Sequence, residues 1–387
     1  MPSIAIIGTR GYPSYYGGFE TAVRQLAPFL AGRGWNVTVY GRPGATKSDD
    51  PSFDPRVTSV VTKGIENKSL STLSYGLTST MDAVRQRPDV ALVMNVANGY
   101  WLPLLKRAGI PTLVNVDGIE WDRAKWGWFA KTVFRGGARM TAKHGSRLVY
   151  DAVEIARRWK NDFGVEGEFI PYGGDTLNEN LPVETGLERR TYVLMVARFV
   201  PENTVVEFLD AANTISAKAD VVIVGSSGYE GELDVRAAEL SAENPRVHWL
   251  GHLSDDRRLH SLWQHAGVYF HGHSVGGTNP ALVQAMACGA PVLARDTVYN
   301  REVLGAGGEF CQPDEQSIAE AALRLLSDAL RLEELSSENV RRAASDYSWE
   351  MVNGRYESAL LQLLSAGPKE IGGVDAESEA TWEAQQL

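Results

Sequence analysis

Short apolar runs alternating with longer amphipathic stretches constrain this chain more than any other feature. Strands buried on both faces of a parallel sheet read as continuous apolar runs, and parallel neighbours need a crossover helix between them. In the first half the strand candidates are Ile4 to Ile7, Asn36 to Tyr40, Val57 to Val61, Val90 to Asn95, Thr112 to Val116 and Arg147 to Tyr150. The stretch Glu20 to Arg33 places Val23, Leu26 and Leu30 on one helical face, with a kink expected at Pro28 and an end at Gly34. The second half repeats the scheme, with strands at Tyr192 to Val196, Val221 to Val224, Val247 to Leu250, Val268 to Phe270 and Pro291 to Ala294. Helices are expected near 203–217, 231–243, 255–266 and 280–287.

A chain of 387 residues with 44% apolar content is long enough for two cores, because single cores stop growing near ~250 to 300 residues. The stretch PYGGDTLNENLPVETGLERR at 171–190, rich in Pro, Gly, Asn and Glu, is the expected boundary. Two Rossmann-like α/β domains follow, with ligands expected at the C-terminal ends of the strands.

Other classes are disfavoured by composition. The two cysteines, Cys288 and Cys311, are too few for a disulfide framework and show no metal-ligand spacing, which fits a reducing cytoplasm. The start, MPSIAIIGTRG, lacks a basic leader and reads as a first strand, and no run approaches the ~20 apolar residues of a membrane span. A net charge of -10 argues against a nucleic-acid partner. The seven histidines show no metal spacing and no DxD-type aspartate pair sits in a suitable loop, so no metal or other cofactor is expected. Past Gly367, five acids against one lysine and few apolar residues predict a mobile tail.

Residues 271–289, HGHSVGGTNPALVQAMACG, read as a strand end, a glycine-rich turn and a helix start. Gly276 and Gly277 allow close backbone approach, Pro280 suits a first helical position, and the free N–H groups with the helix dipole face an anion. A phosphorylated ligand is the expectation; a buried connection needing glycines only for its turn is the alternative. The earlier loop GTRGYPSYYGGFE does not fit GxGxxG, which disfavours a dinucleotide.

That turn and helix resemble retaining glycosyltransferases of family four, most closely their rhamnosyltransferase-like branch, in which GGTNP precedes an AMACG-type helix. The resemblance extends over GTRGYPSYYGGFET at 8–21, VNVDGIEWDRAKWG at 114–127, FIPYGGD at 169–175, VARFVPEN at 196–203 and NREVLG at 300–305. It implies a GT-B fold, two Rossmann-like domains with a cleft between them and a C-terminal helix, around Trp349 to Leu364, crossing back to the N-terminal domain. The expected division is an acceptor-side domain at 1–172, a nucleotide-sugar-binding domain at 173–347, the crossover helix at 348–366 and the acidic tail at 367–387.

By the same resemblance Gly17 and Gly18 lie under the donor diphosphate and sugar, with Glu20 near the helix start; Glu20 alternatively complements the helix dipole. Arg198 is placed on the donor pyrophosphate, where a guanidinium holds two oxygens at once. The usual lysine five residues later is Asn203 here, which can donate a hydrogen bond or cap the following helix. His273, Gly277, Thr278 and Asn279 complete the expected donor set. Of two glutamates common around the turn, Gly276 stands at one position and Gln284 at the other. A carboxylate accepts from both ribose hydroxyls, whereas an amide offers one acceptor and one donor group. That exchange fits a deoxythymidine nucleotide better than a ribonucleotide. Asp117, where many relatives carry a histidine, is the candidate to hold an acceptor hydroxyl and assist proton removal, with Glu120 and Asp122 as neighbouring alternatives; an Asp-Gly turn is the plain reading.

From Trp121 to Arg147 the chain interleaves five aromatic residues with seven basic ones against a single acid, Asp122. Such a segment suits peripheral contact with an anionic membrane carrying a lipid-linked acceptor, or is an ordinary helix with a solvated basic face. The expected function is a retaining transfer of a sugar, rhamnose from dTDP-rhamnose by resemblance, to a hydroxyl of a glycan or glycolipid. A sugar-nucleotide epimerase and a non-catalytic nucleotide-sugar-binding protein are the alternatives.

Overall fold

The computed structural model describes residues 1–15, 17–46, 49–66, 71–123, 126–177 and 179–366. The acidic tail expected at 367–387 lies outside them. Two compact units emerge, the first made of Met1–Trp121, Trp126–Ile170 and Asn353–Leu387, the second of Asp122–Lys125 and Pro171–Val352.

In the first unit the strands are β1 (Ser3–Ile7), β2 (Asn36–Gly41), β3 (Val57–Val61), β4 (Val90–Met94), β5 (Thr112–Asn115), β6 (Arg147–Tyr150) and β7 (Glu168–Phe169). They form one parallel sheet in the order β3-β2-β1-β4-β5-β6-β7. The register pairs Ile4 with Val37 on one side and Val90 on the other. Between the strands run α1 (Gly18–Gly32), α2 (Ser71–Gln86), α3 (Leu102–Arg107), α4 (Trp128–His144) and α5 (Val153–Phe163). Helix α1 continues through Pro28 and buries Val23, Leu26 and Leu30. Trp121, Trp159 and Phe163 pack edge-on or tilted at 5.0 to 6.0 Å between ring centres beneath this sheet. Burial of the Trp121 and Trp159 side chains stabilises the fold by roughly 2 to 3 kcal/mol each.

The second unit carries β8 (Tyr192–Val196), β9 (Asp220–Val224), β10 (Val247–Trp249), β11 (Val268–His271), β12 (Val292–Arg295) and β13 (Glu309–Cys311), parallel in the order β10-β9-β8-β11-β12-β13. Its helices are α6 (Val205–Ser216), α7 (Glu232–Glu243), α8 (Asp256–His265), α9 (Pro280–Ala287), α10 (Val298–Leu304), α11 (Glu315–Leu326) and α12 (Ala329–Asp346). Alternation along β8 shows why the strands read as unbroken apolar runs. Val193 and Met195 face a core with Phe208 and Phe270, while Tyr192 and Leu194 face another with Leu282 and Met286. Both faces are dry.

The last helix, α13 (Trp349–Ala366), starts in the second unit and belongs to the first from Asn353 onward. There Glu357 accepts from Trp35 Nε1 at 3.1 Å and pairs with Arg33, and Tyr356 accepts from Asn115 Nδ2 at 2.7 Å.

The stretch 171–190 opens the second unit, which takes up the chain at Pro171, and is hydrogen-bonded to it. Leu181 N–H donates to Gln264 at 2.8 Å, His265 Nε2 lies 2.7 Å from the Leu181 carbonyl, and Arg258 pairs with Glu184 at 2.8 Å.

Candidate functional site

In the second unit the loops leaving β8 and β11 are laced together. After Phe199 the chain makes a 3-10 turn over Pro201–Asn203 and then places Thr204 in the left-handed region, φ 56°, so that α6 starts later than the sequence pattern indicates. That strained residue is fully buried; its hydroxyl donates to the Gly272 carbonyl at 2.6 Å and accepts from Arg295 at 3.0 Å. A Cβ on Gly272 would stand 2.4 Å from the Asn203 carbonyl oxygen, so only glycine lets the loops meet. The Ser274 amide and hydroxyl both donate to the Glu202 carbonyl at 2.9 Å.

Asn203, buried, donates from Nδ2 to the Arg198 carbonyl at 2.9 Å. It is therefore a brace for the Arg198 loop. The Arg198 side chain is exposed, and its guanidinium makes no hydrogen bond or ion pair among the described residues.

Beside it the rings of His271 and His273 stack at 4.4 Å and 12°. His271 Nδ1 lies 3.0 Å from the Tyr269 hydroxyl. Its Nε2 and the Nδ1 of His273 are buried without a hydrogen-bond partner. Burial, then the Arg198 and Arg123 cations, push His273 down to about 3, and burial with His273 pushes His271 well below its ordinary value. Both rings are neutral near pH 7. The His273 carbonyl accepts from Asn300 Nδ2 at 3.0 Å, and the same amide reaches the Arg295 carbonyl at 2.8 Å.

The glycine turn follows. Gly276 has φ 104° with open space where a Cβ would stand, and Gly277 continues to buried Thr278. Asn279 caps α9 by accepting from the Ala281 amide at 3.0 Å, Pro280 occupies the first turn, and that turn contains no acid. Positive helix dipole, turn amides and the Arg198 cation thus favour an anion.

Gln284, on α9, holds the backbone of Asp175. Its Oε1 accepts from the Asp175 amide at 2.9 Å and its Nε2 donates to the Asp175 carbonyl at 3.0 Å. A glutamate could match only the first of these bonds.

The remaining candidates lie in the first unit, on the C-terminal edge of its sheet. Gly17 precedes α1 in an extended conformation, Gly18 opens the helix, and the buried Glu20 carboxylate accepts from the Arg10 amide at 2.9 Å. Asp117 sits just past β5 with φ 60°, its amide donating to Asn115 Oδ1 at 2.9 Å. Glu120 is buried and accepts from Trp126 Nε1 at 2.7 Å. Gly17 and Glu20 follow β1 while Asp117 and Glu120 follow β5, with β4 between the two strands.

Sequence reasoning overlooked Glu202, Thr204, Arg295 and Asn300, whose partners include atoms 27 to 91 residues away along the chain. Asn300 alone had a signal, as the first residue of NREVLG. In the basic segment, α4 contains no acid, and Trp128 and Phe129 are 79% and 62% exposed; Ala124 and Lys125 lie outside the described residues. Among the described residues no helix is long and apolar enough to cross a membrane and no cluster of three or more His, Cys, Asp or Glu forms a metal site. Burial pushes the Cys288 and Cys311 thiols up to about 12.

Residues 178–343 match the family model described as "Glycosyl transferases group 1". In fold the chain is similar to sucrose-phosphate synthase from Thermosynechococcus elongatus, with a TM-score of 0.78 and 20% identity over 95% of this chain and 100% of that one. It is similar also to HepE from Anabaena in complex with UDP, with a TM-score of 0.72 and 17% identity over 94% and 100%. An α,α-trehalose-phosphate synthase (UDP-forming) from Burkholderia vietnamiensis matches with a TM-score of 0.69 and 13% identity over 97% and 100%. No curated protein sequence matches the chain. The two parallel-sheet units make a GT-B fold, and with the group 1 match lying on the second of them, the protein is a glycosyltransferase.

Proposed function

We propose that the protein moves a sugar from a nucleoside diphosphate to a hydroxyl of a glycan or glycolipid with retention of anomeric configuration. The donor diphosphate lies against Arg198 and the N–H groups of Gly277, Thr278 and Asn279. The observation that carries this reading is the exposed Arg198 guanidinium, without a hydrogen bond or ion pair among the described residues, beside a neutral His273 and a helix start that has no acid of its own. As the bond from sugar to diphosphate breaks, charge grows on the departing oxygen, and donors fixed in advance stabilise that charge more in the transition state than in the ground state. Attack by the acceptor hydroxyl on the face the diphosphate leaves preserves configuration. Asp117, held at a strand end by Asn115, is assigned to the acceptor hydroxyl and its proton.

Rhamnose from dTDP-rhamnose is the donor we propose, on the resemblance of the GGTNP turn; HepE, solved with UDP-glucose, supplies the uridine alternative. Gln284 favours the deoxynucleotide, because its one acceptor oxygen already accepts from Asp175. A lipid-linked acceptor is supported by the acid-free α4 with Trp128 and Phe129 exposed at its start. Co-sedimentation with anionic vesicles checks this: neutralising Lys131, Arg135 and Arg139 should release the protein, and unchanged sedimentation would remove the membrane from the account.

Incubation with a panel of nucleotide sugars tests the function itself. Nucleoside diphosphate should appear only when an acceptor is present. Product that is an isomerised nucleotide sugar, formed without acceptor, would make the protein an epimerase, and tight binding without turnover would make it a binding protein.

A further inference from the structure

Helix α4 carries an unanswered row of cations. Trp128, Thr132, Arg135, Arg139 and Lys143 follow one another at spacings of three or four residues, which puts them on one face of the helix, and all five are exposed. Arg135, Arg139 and Lys143 make no hydrogen bond or ion pair among the described residues. No acid occurs in the sequence between Asp122 and Asp151. Like charges four residues apart on a helix repel, so the steps from Arg135 to Arg139 and from Arg139 to Lys143 cost stability. Helices α5 and α12 answer their arginines instead: Arg157 pairs with Glu154, Arg331 with Glu334 and Arg342 with Asp346. The helix dipole accounts for Lys143, in the last turn, but not for Arg135 or Arg139. Burial, then Lys143 and Lys106, lower the pKa of His144, so positive charge from the end of α3 gathers at the same end of α4. At the other end Trp128 and Phe129 stand edge-on, 6.1 Å between ring centres.

The chain itself supplies a segment of opposite charge that sets out from the right place. Arg147, three residues past the end of α4, pairs with Glu168 and donates to Gln362 Oε1, so the last turns of α13 lie beside the C-terminal end of α4. Residues 367–387 continue from there and carry Glu370, Asp375, Glu377, Glu379 and Glu383 against Lys369, with one large aromatic, Trp382. The lengths agree. From Lys143 back to Trp128 the helix runs about 22 Å, and the chain from Asp375 to Trp382 reaches about 23 Å at full extension. The lead from Ala366 to Asp375 reaches up to about 30 Å, enough to turn back onto α4.

We propose that the chain's own acidic segment, 370–383, docks antiparallel along α4, with Asp375, Glu377 and Glu379 on Lys143, Arg139 and Arg135 and with Trp382 against Trp128 and Phe129. The segment covers the cationic face until an anionic lipid surface displaces it, so it acts as a brake on contact with a membrane. That a membrane competes for this face rests on the reading above; that the segment docks there does not. Each exposed ion pair is weak, and the attachment of the segment to α13 makes the sum sufficient by keeping its local concentration high.

Zero-length carbodiimide coupling on the full chain, read by mass spectrometry, tests the contact. Lys143 should couple to acids of 370–383, with the ion pair of Lys160 and Glu166 as the control for the reaction. Arg135→Gln together with Arg139→Gln should lower that coupling about 5-fold, the effect of two lost exposed ion pairs, and leave the control as it was. An equal mixture of nitrogen-14 and nitrogen-15 chains separates coupling within a chain from coupling between chains. In a second arm the full chain is sedimented with vesicles of phosphatidylcholine and phosphatidylglycerol. Neutralising the segment by Asp375→Asn, Glu377→Gln and Glu379→Gln should tighten vesicle binding about 5-fold, and the gain should vanish when Arg135→Gln and Arg139→Gln are added. Coupling absent while the control couples, indifferent to the two arginine substitutions, or found only between chains overturns the proposal. So does vesicle binding that neutralising the segment leaves unchanged, or a gain that survives loss of the two arginines, which would be bulk repulsion. Arginine-dependent coupling in a protein that no variant brings to vesicles would keep the docked segment and discard the membrane reading.

Discussion

Each unit has a glycine-rich connection between the C-terminal end of a strand and a helix, and the two are electrically opposite. In the first unit the loop from Gly8 to Gly18 enters α1, whose first turn contains Glu20, and that carboxylate is already spent on the Arg10 amide. In the second the turn from Gly276 to Asn279 enters α9, whose first turn contains no acid, with Arg198 exposed on the neighbouring loop. A helix start that carries its own carboxylate has its dipole answered; one without an acid and beside a free guanidinium attracts an anion from outside. Similar glycine spelling therefore conceals different chemistry, and the difference lies in one acid and one arginine.

The largest expected effect comes from removing that arginine. Arg198→Ala should lower kcat by roughly 100- to 1000-fold, as loss of one transition-state donor does, with the melting temperature kept; unchanged turnover in a folded variant would contradict the assignment. Making α9 resemble α1 sharpens the comparison further. Ala281→Glu places a carboxylate in the first turn and should weaken nucleoside diphosphate binding about 10-fold, while Ala281→Gln, alike in size but uncharged, should not. Equal affinities for the two would mean that the dipole of α9 plays no part.

A smaller effect is expected at Gln284. Gln284→Glu adds an acceptor for ribose and opposes the Asp175 carbonyl, so the ratio of thymidine to uridine donor use should fall several-fold, on the order of one hydrogen bond. A ratio that does not move would detach Gln284 from base preference. The smallest effect concerns pH. His273 has a native value of about 3 against 6.5 for an unfolded histidine, so the native chain binds fewer protons between those values. Its contribution to stability is complete above pH 6.5 and is lost as the pH falls toward 3. Melting temperatures should decline less steeply over that window in His273→Gln than in the parent; parallel curves would show that the buried ring carries no such linkage.

The sequence made the sheets legible and left much of the site hidden. Interior strands such as β4 and β8 announce themselves because both faces are buried. The short edge strands β7 and β13, of two and three residues, are too brief to form an apolar run. The glycine turn and its helix start were readable because local rules place them, and Arg198 was placed by the family resemblance. The partners of Gln284 and Glu20 were not: a backbone amide 109 residues away and another ten residues away leave no local pattern.

The most direct measurement is a crystal structure of the protein with dTDP. The account predicts both phosphates in the second unit, with Arg198 within hydrogen-bond distance of phosphate oxygens and the Gly277 to Asn279 amides turned toward them. Phosphates resting on Gly17 and Gly18 at the start of α1, with Arg198 unengaged, would contradict it.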